Sequence, residues 1–384
     1  HKKLTEATTY SVHTTQFRNF NFVRIDTDEV VHGVGELFCI GADKATAEMV
    51  KYVSEWVVGM DPLDRERIQK RILNYSRFPG GSILYTAASA IDLALWDIAG
   101  KIANLPVYKM VGAVRDRVPV YCHTMGKDSK AALEMLQPKI EKYGYKACKV
   151  GVKGLGYFPN GSAEARLVEM FEGMRNALGP DFEIGIDMQS KIYEPREGRR
   201  VANLIEPYRP FFVEEPIRPD NLEAWTEMAQ GLNVPLATGE QIFDPYTWER
   251  LLALHAVDLL QPDILLCGGF TGMRKIAAMA EPSFRKLSPH NPLSTLANCI
   301  NVHFCMCTYN TTFLENEPRE EGLDAELVTD VLKVKDGFIT PNDKPGWGMD
   351  LDYDFIEKHE PIVWSRVKLD SPTAYTLDGA PHIM

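Results

Sequence analysis

Cysteine is scarce in this 384-residue chain: seven in all, without CxxC spacing or dense clustering. That argues against a disulfide framework, and the odd count points to reduced thiols and a cytoplasmic setting. No run of about 18 apolar residues stands out as a membrane span. The chain opens on His1, and no secretory signal is expected from the residues present. Basic residues are in deficit too: 42 Lys and Arg face 53 Asp and Glu, a net charge of −11. Without a basic footprint, neither a nucleic acid nor an anionic membrane is expected as partner. An acidic small molecule stays within reach if a metal ion reverses the local field. Low-complexity tracts are missing as well. What remains is an ordinary globular composition, 45% apolar and 25% charged. The length suits two domains, or one barrel with an attached domain.

The first 117 residues read as strands followed by helices, an α+β unit. TTYSVHTTQF, FNFVRIDTD and VVHGVGEL alternate β-branched or aromatic residues with polar ones. Residues 43–75 are expected to be helical with a break at Pro62, and residues 86–112 carry Ile91, Leu95 and Ile98 at helical spacing. From Val118 to about residue 340 the pattern changes to short apolar runs, each followed by a helical stretch. The runs are VPVYCH, KACKVGV, FEIGIDM, PFFVEEP, PLATGE, LLQPDILL, FRKLSPHN and TTFLE. Such alternation predicts a closed α/β barrel of parallel strands. Residues 341–384, with one further apolar run PIVWSRVKL, are expected to return to the first domain.

Chemistry in such a barrel gathers at the C-terminal strand ends. Three successive runs close on Asp187, Glu214 and Glu240, 27 and 26 residues apart, one βα unit each. Equal spacing sets three carboxylates side by side, and they cannot all stay ionised without a cation. Oxygen ligands alone favour Mg²⁺, one ion per chain, over zinc, since no Cys or His joins the trio. Glu215 should point to the opposite face of its strand. The next two strand ends bear Asp263 and His290, again 27 residues apart. A carboxylate against an imidazole fixes its tautomer and makes it a general base. Lys149 ends the second run, where it can neutralise developing charge or act as a base if its pKa is lowered, and Glu315 ends the eighth.

Together these stretches resemble the enolase superfamily, in particular the mandelate racemase-like group with its acid-sugar dehydratases. The resemblance rests on ASAIDLALWDIAGKIANLPVYKMVG, IDMQ, VEEP, ATGE, QPDILLCGG, SPHNP and FLENEP, in that order. It implies a modified (β/α)7β TIM barrel with an α+β capping domain completed by the C-terminal segment. It also implies Mg²⁺ on Asp187, Glu214 and Glu240, an Asp263–His290 base, and a Glu315 that hydrogen-bonds the substrate carboxylate as it gains enolate character. Members pair a Lys or His base with Mg²⁺, so that pairing comes from the resemblance. The implied reaction is a hydro-lyase one: α-proton abstraction from a metal-bound carboxylate and loss of water, giving a 2-keto-3-deoxy acid. A homo-oligomer is the expected assembly.

Departures from the family pattern narrow the choice. Racemase-like members carry Lys-x-Lys on the second strand, but here Gly151 follows Lys149 at the second position. Losing the base on that face disfavours the alternative, a racemase, epimerase or cycloisomerase; Lys153 would reach inward only on an extended strand. SPHNP and FLENEP look most like galactonate dehydratase and its relatives. Gln189 stands where that enzyme has a proton-donating His. The leaving hydroxyl therefore needs His290 itself, Tyr157 or His123 as acid. Arg18 is a candidate for a distal polar group of the substrate, although a solvated side chain is the simpler expectation. The loops at 14–19 and 38–43 are expected to close the mouth. A third alternative is a barrel without catalysis that serves as a binding scaffold.

Overall fold

The computed structural model describes residues 2–14, 18–38, 42–74, 77–78, 80–156 and 158–362. Strands β1 (Leu4–His13), β2 (Asn19–Thr27) and β3 (His32–Leu37) form an antiparallel sheet in that order. Side-chain alternation divides β2 between two cores. Phe20 and Phe22 join the barrel core, while Val23 and Ile25 pack under helices α1 (Asp43–Ser54), α2 (Arg65–Asn74) and α3 (Gly81–Ala103).

Helix α3 corrects the reading of apolar runs. It is long and apolar enough to cross a bilayer by composition, with a mean hydropathy of 1.3 over its best window. Yet 89% of that window is buried inside the protein. Small residues make this packing possible: a Cβ on Gly33 or Gly35 of β3 would land on the carbonyl oxygens of Ala94 and Ala90.

The barrel strands are β4 (Val118–Met125), β5 (Ala147–Gly151), β6 (Glu183–Asp187), β7 (Val213–Glu214), β8 (Leu236–Thr238), β9 (Leu259–Leu260), β10 (Lys286–Leu287) and β11 (Leu314–Glu315). Sequential neighbours from β4 to β10 pair in parallel. Closure comes from β11 pairing with β4 and from the Leu287–Thr311 bridge. Helices 129–143, 161–178, 195–203, 222–229, 245–253, 269–280 and 295–306 fill the seven crossovers, and a four-residue helix, Leu323–Glu326, comes directly after β11. This is the (β/α)7β arrangement. Asp128, Asn160, Asn221, Asp244 and Ser294 cap these helices by accepting from backbone N–H groups of the first turn.

Inside the barrel, Tyr121, Ala147, Phe212, Ala237 and Leu259 form a separate apolar plug. The hairpin β12 (Val334–Lys335) and β13 (Phe338–Ile339) pairs with the start of β4. The chain then runs back along the first hundred residues. Trp347 donates from N to Asp97 (3.0 Å) and from Nε1 to the Val34 carbonyl (3.2 Å). Asp350 meets His32 at 2.5 Å, and Ile362 N donates to Asn19. Most of PIVWSRVKL lies outside the described residues.

Candidate active site

Register carries the acidic residues to one rim. Gly151 pairs with Asp187 and Asp187 with Glu214 across β5, β6 and β7, and Asp263 bridges His290 beyond β9 and β10. The rim opens on a cavity of about 560 Å³. Lys149, Asp187, Glu240, His290 and Glu315 line it from the barrel, and Arg18, Thr46, Ser82 and Thr86 line it from the capping part.

His290 is buried between two carboxylates. Its Nδ1 lies 2.8 Å from Asp263 Oδ2 and its Nε2 3.2 Å from Glu240 Oε2. The other Asp263 oxygen accepts from Leu265 N (2.8 Å), which fixes that carboxylate. Burial lowers the imidazole pKa, but Glu240, Asp263 and Glu315 outweigh it and push it up to about 10. A cation that draws charge from Glu240 removes the first of those raising neighbours and brings the imidazole toward its neutral, basic form.

The three strand-end acids do not converge on one point. Glu214 accepts from Lys149 Nζ at 3.0 Å to both oxygens and from Gln261 Nε2 at 2.6 Å. Asp187 accepts from Gln189 N (2.8 Å), and Glu240 faces His290. Among the described residues, no three Asp, Glu, His or Cys side chains are gathered tightly enough to hold an ion as placed. Glu214 and Glu240 lie against Lys149 and His290, and Asp187 against a backbone N–H. The chemistry of the donor set still fits a hard divalent cation. All three donors are carboxylates at the ends of adjacent strands. Burial first, then Asp187 and Glu240, push the Glu214 carboxyl well above the usual range.

Glu215 departs from the simple alternation. It bonds a separate group, Ser190 Oγ (3.0 Å), Thr238 Oγ1 (2.9 Å) and Gln241 Nε2 (2.6 Å). Its backbone is left-handed, φ 37°, and the side chain also borders the cavity. Burial and the charge of Glu240 push its carboxyl up to about 8.

Of the two roles open to Lys149, neutralising developing charge or acting as a base, its surroundings favour the first. Burial lowers the Lys149 pKa, but Glu214 and Glu315 raise it well above the ordinary lysine value. An ammonium 3.0 Å from one carboxylate and 2.9 Å from another is a fixed cation, not a base. Glu315 also meets His123 Nε2 at 2.5 Å and accepts from Asn291 N at 2.8 Å. Burial raises its pKa, yet Lys149 and His123 together hold it well below the usual range. As placed, Glu315 is an ionised acceptor, and donating to a substrate carboxylate would require a proton that this surround disfavours.

Gln189 borders the cavity with φ 51°, and Ser190 follows at 55°, so two left-handed residues turn the chain outward after β6. His123 lines the wall beside Glu315, and Arg18, half-buried, lines it from the capping side. Lys153 is exposed and lies apart from the cavity. Tyr157 lies outside the described residues, as do parts of both mouth loops. Sequence reasoning missed Gln261 and Gln241. Gln261 precedes Asp263 by two positions on the same inward face, a period-2 signal that strand-end counting passed over. Gln241 follows Glu240 at a bend that no periodicity marks.

Residues 2–112 match the model of the mandelate racemase / muconate lactonizing enzyme N-terminal domain, and residues 131–355 match the enolase C-terminal domain-like model. An enolase from Agrobacterium radiobacter, provisionally named a galactarate dehydratase and solved with sodium and L-malate, shares 33% identity at a TM-score of 0.92, covering 100% of both chains. An enolase from Pantoea ananatis with bound D-gluconate and magnesium shares 26% identity, with a TM-score of 0.88 over 95% of this chain and 96% of that one. A mandelate racemase/muconate lactonizing enzyme from Jannaschia sp. CCS1 shares 27%, with a TM-score of 0.88 over 96% and 100%. A barrel rim with acids on adjacent strands, a paired Asp and His beside them, and both domain models in sequence lead to one conclusion: the chain belongs to the enolase superfamily, in its mandelate racemase/muconate lactonizing enzyme branch.

Proposed function

We propose that this protein is a Mg²⁺-dependent hydro-lyase that dehydrates an acid sugar to a 2-keto-3-deoxy acid. One observation carries the reading: among the described residues, the site offers a base on one face only. His290 is oriented by Asp263 at 2.8 Å, Gly151 stands where a second lysine would serve, and Lys149 is locked as a cation by Glu214 and Glu315. Racemisation needs acid–base groups on both faces of the α-carbon, whereas elimination removes its proton from one. The ligands of the relatives, L-malate and D-gluconate, are small hydroxy acids of the right chemical kind.

Asp187, Glu214 and Glu240 would hold the ion. When bound it supplies a Lewis acid that makes the α-proton acidic and offsets charge developing on the substrate carboxylate. His290 takes the α-proton at Nε2, with Asp263 holding Nδ1–H. The Lys149 ammonium faces the carboxylate end and stabilises negative charge there. Gln189 carries no transferable proton, so the imidazolium of His290 returns its proton to the departing hydroxyl. Incubating the protein with Mg²⁺ and a panel of aldonic and aldaric acids, with 2-keto acids trapped by semicarbazide, tests the proposal. A keto product from at least one acid is expected. Substrate recovered as C2 epimers carrying solvent deuterium, with no keto acid, would favour the racemase instead.

A further inference from the structure

A second opening lies where the capping part meets the outside of the barrel. It is a cleft of about 670 Å³ between α2 and helix 269–280, and four cations line it: Arg65, Arg67, Arg274 and Lys275. Its described lining holds two acids, Asp64 and Glu66, and both are already matched. Glu66 meets Lys275 at 2.7 Å, and Asp64 meets Arg67 at 3.5 Å. Among the described residues, neither Arg65 nor Arg274 has a hydrogen bond or an ion pair. Arg65, half-buried, lies over the Trp96 ring, 4.0 Å from its centroid. Stacking occupies the face of a guanidinium and leaves its in-plane N–H donors unspent. Asp92, a buried acid whose charge acts on Arg65, is engaged elsewhere. It accepts from Thr271 N at 2.9 Å and Thr271 Oγ1 at 2.6 Å, and burial pushes its carboxyl up to about 7. Burial lowers the Arg65 pKa, and Arg274 lowers it further, against the pull of Asp92 and Glu66. Two guanidiniums that repel each other, one of them partly desolvated, cost free energy that an anion between them would offset.

We propose that Arg65 and Arg274 bind a phosphate group, a tetrahedral oxyanion of two charges, across the junction of cap and barrel. Arg65 stands on α2 and Arg274 on helix 269–280, so one phosphate ties the two parts of the molecule together. Guanidinium forks match phosphate oxygens. The cleft has room for more than the ion itself, so free phosphate and a phosphate monoester share the chemistry the site recognises. Neither arginine is among the described residues lining the cavity at the barrel mouth, and the site stands independently of the reaction proposed above.

The test titrates inorganic phosphate and glycerol 3-phosphate into the whole chain, stripped of metal with EDTA and held at fixed ionic strength. Calorimetry and the thermal midpoint are the readouts. Saturable binding at one site is expected, with a midpoint that rises as phosphate is added. Arg65→Gln and Arg274→Gln should each weaken binding by at least about 10-fold. Arg274 is exposed, so its loss leaves the fold intact. Arg65→Lys, which keeps a charge over Trp96, should recover part of the affinity lost in Arg65→Gln. Lys130→Gln, a cation outside the cleft, should stay within about 2-fold of wild type, because exposed charges at a distance are screened. Tighter binding of glycerol 3-phosphate than of phosphate supports the site with a monoester as its ligand, and equal affinity supports it with the free ion. No saturable binding at fixed ionic strength, or binding indifferent to both arginine variants, overturns the proposal.

Discussion

Two carboxylates hold the His290 ring from either side, and its chemistry depends on both. Replacing it in His290→Asn keeps a polar side chain of similar reach but removes the base. Turnover should fall by at least about 1,000-fold while Mg²⁺ affinity, read by calorimetry, stays within a few-fold of wild type. Near-normal activity would remove His290 from the mechanism. A second buried residue, Glu36, makes a separate prediction about pH. It is fully buried, accepts from Ser294 N (3.2 Å), Ser294 Oγ and Ala297 N (3.0 Å), and so ties β3 to helix 295–306. Burial pushes its carboxyl from 4.5 up to about 8 despite those hydrogen bonds. Between those values the folded chain holds a proton that the unfolded chain has released. Glu36 thus contributes stability that is full below about pH 4.5 and is lost as pH rises toward 8, by up to about 1.4 kcal/mol per unit. Glu36→Gln should flatten that slope in urea midpoints measured at pH 5 and pH 8. An unchanged slope would show that Glu36 does not titrate in this window.

Among the elements, the contact of β3 with α3 is the tightest to test. Gly35 has no room for a methyl against the Ala90 carbonyl. Gly35→Ala should cost about 2 kcal/mol or more, seen as a lower urea midpoint with an unchanged slope. A neutral result would mean the strand can move off the helix at little cost. The eight apolar runs were legible as barrel strands because parallel strands are apolar on both faces, a pattern carried by the residues themselves. Strand-end counting likewise found the acids and the dyad, since every βα unit returns the chain to the same rim. What counting could not supply was side-chain direction after each strand. Left-handed residues at Gln189, Ser190 and Glu215 bend the backbone where alternation no longer holds. That is why Glu215 borders the cavity and Gln241 joins it. The partners of Lys149 and Glu315 were also out of reach, because they come from strands far apart in sequence and depend on which charges end up buried together.

The whole molecule is acidic, yet its proposed substrate is an anion, so the balance must be reversed locally. Four acids, Asp187, Glu215, Glu240 and Glu315, border one cavity. A divalent ion bound there should relieve their mutual repulsion and stabilise the fold by mass action. Adding Mg²⁺ to protein stripped with EDTA is expected to raise the thermal midpoint, and the rise should grow with ion concentration. The most direct measurement is calorimetric titration of Mg²⁺ into wild type and single variants at the rim. Asp187→Asn, Glu214→Gln and Glu240→Gln should each weaken binding by at least about 100-fold, more than is usual for residues that only orient a ligand. Glu215→Gln, whose carboxylate is engaged by Ser190, Thr238 and Gln241, should weaken it far less. Binding that survives loss of Glu214 but disappears with Glu215, or that is indifferent to all of them, would contradict the account.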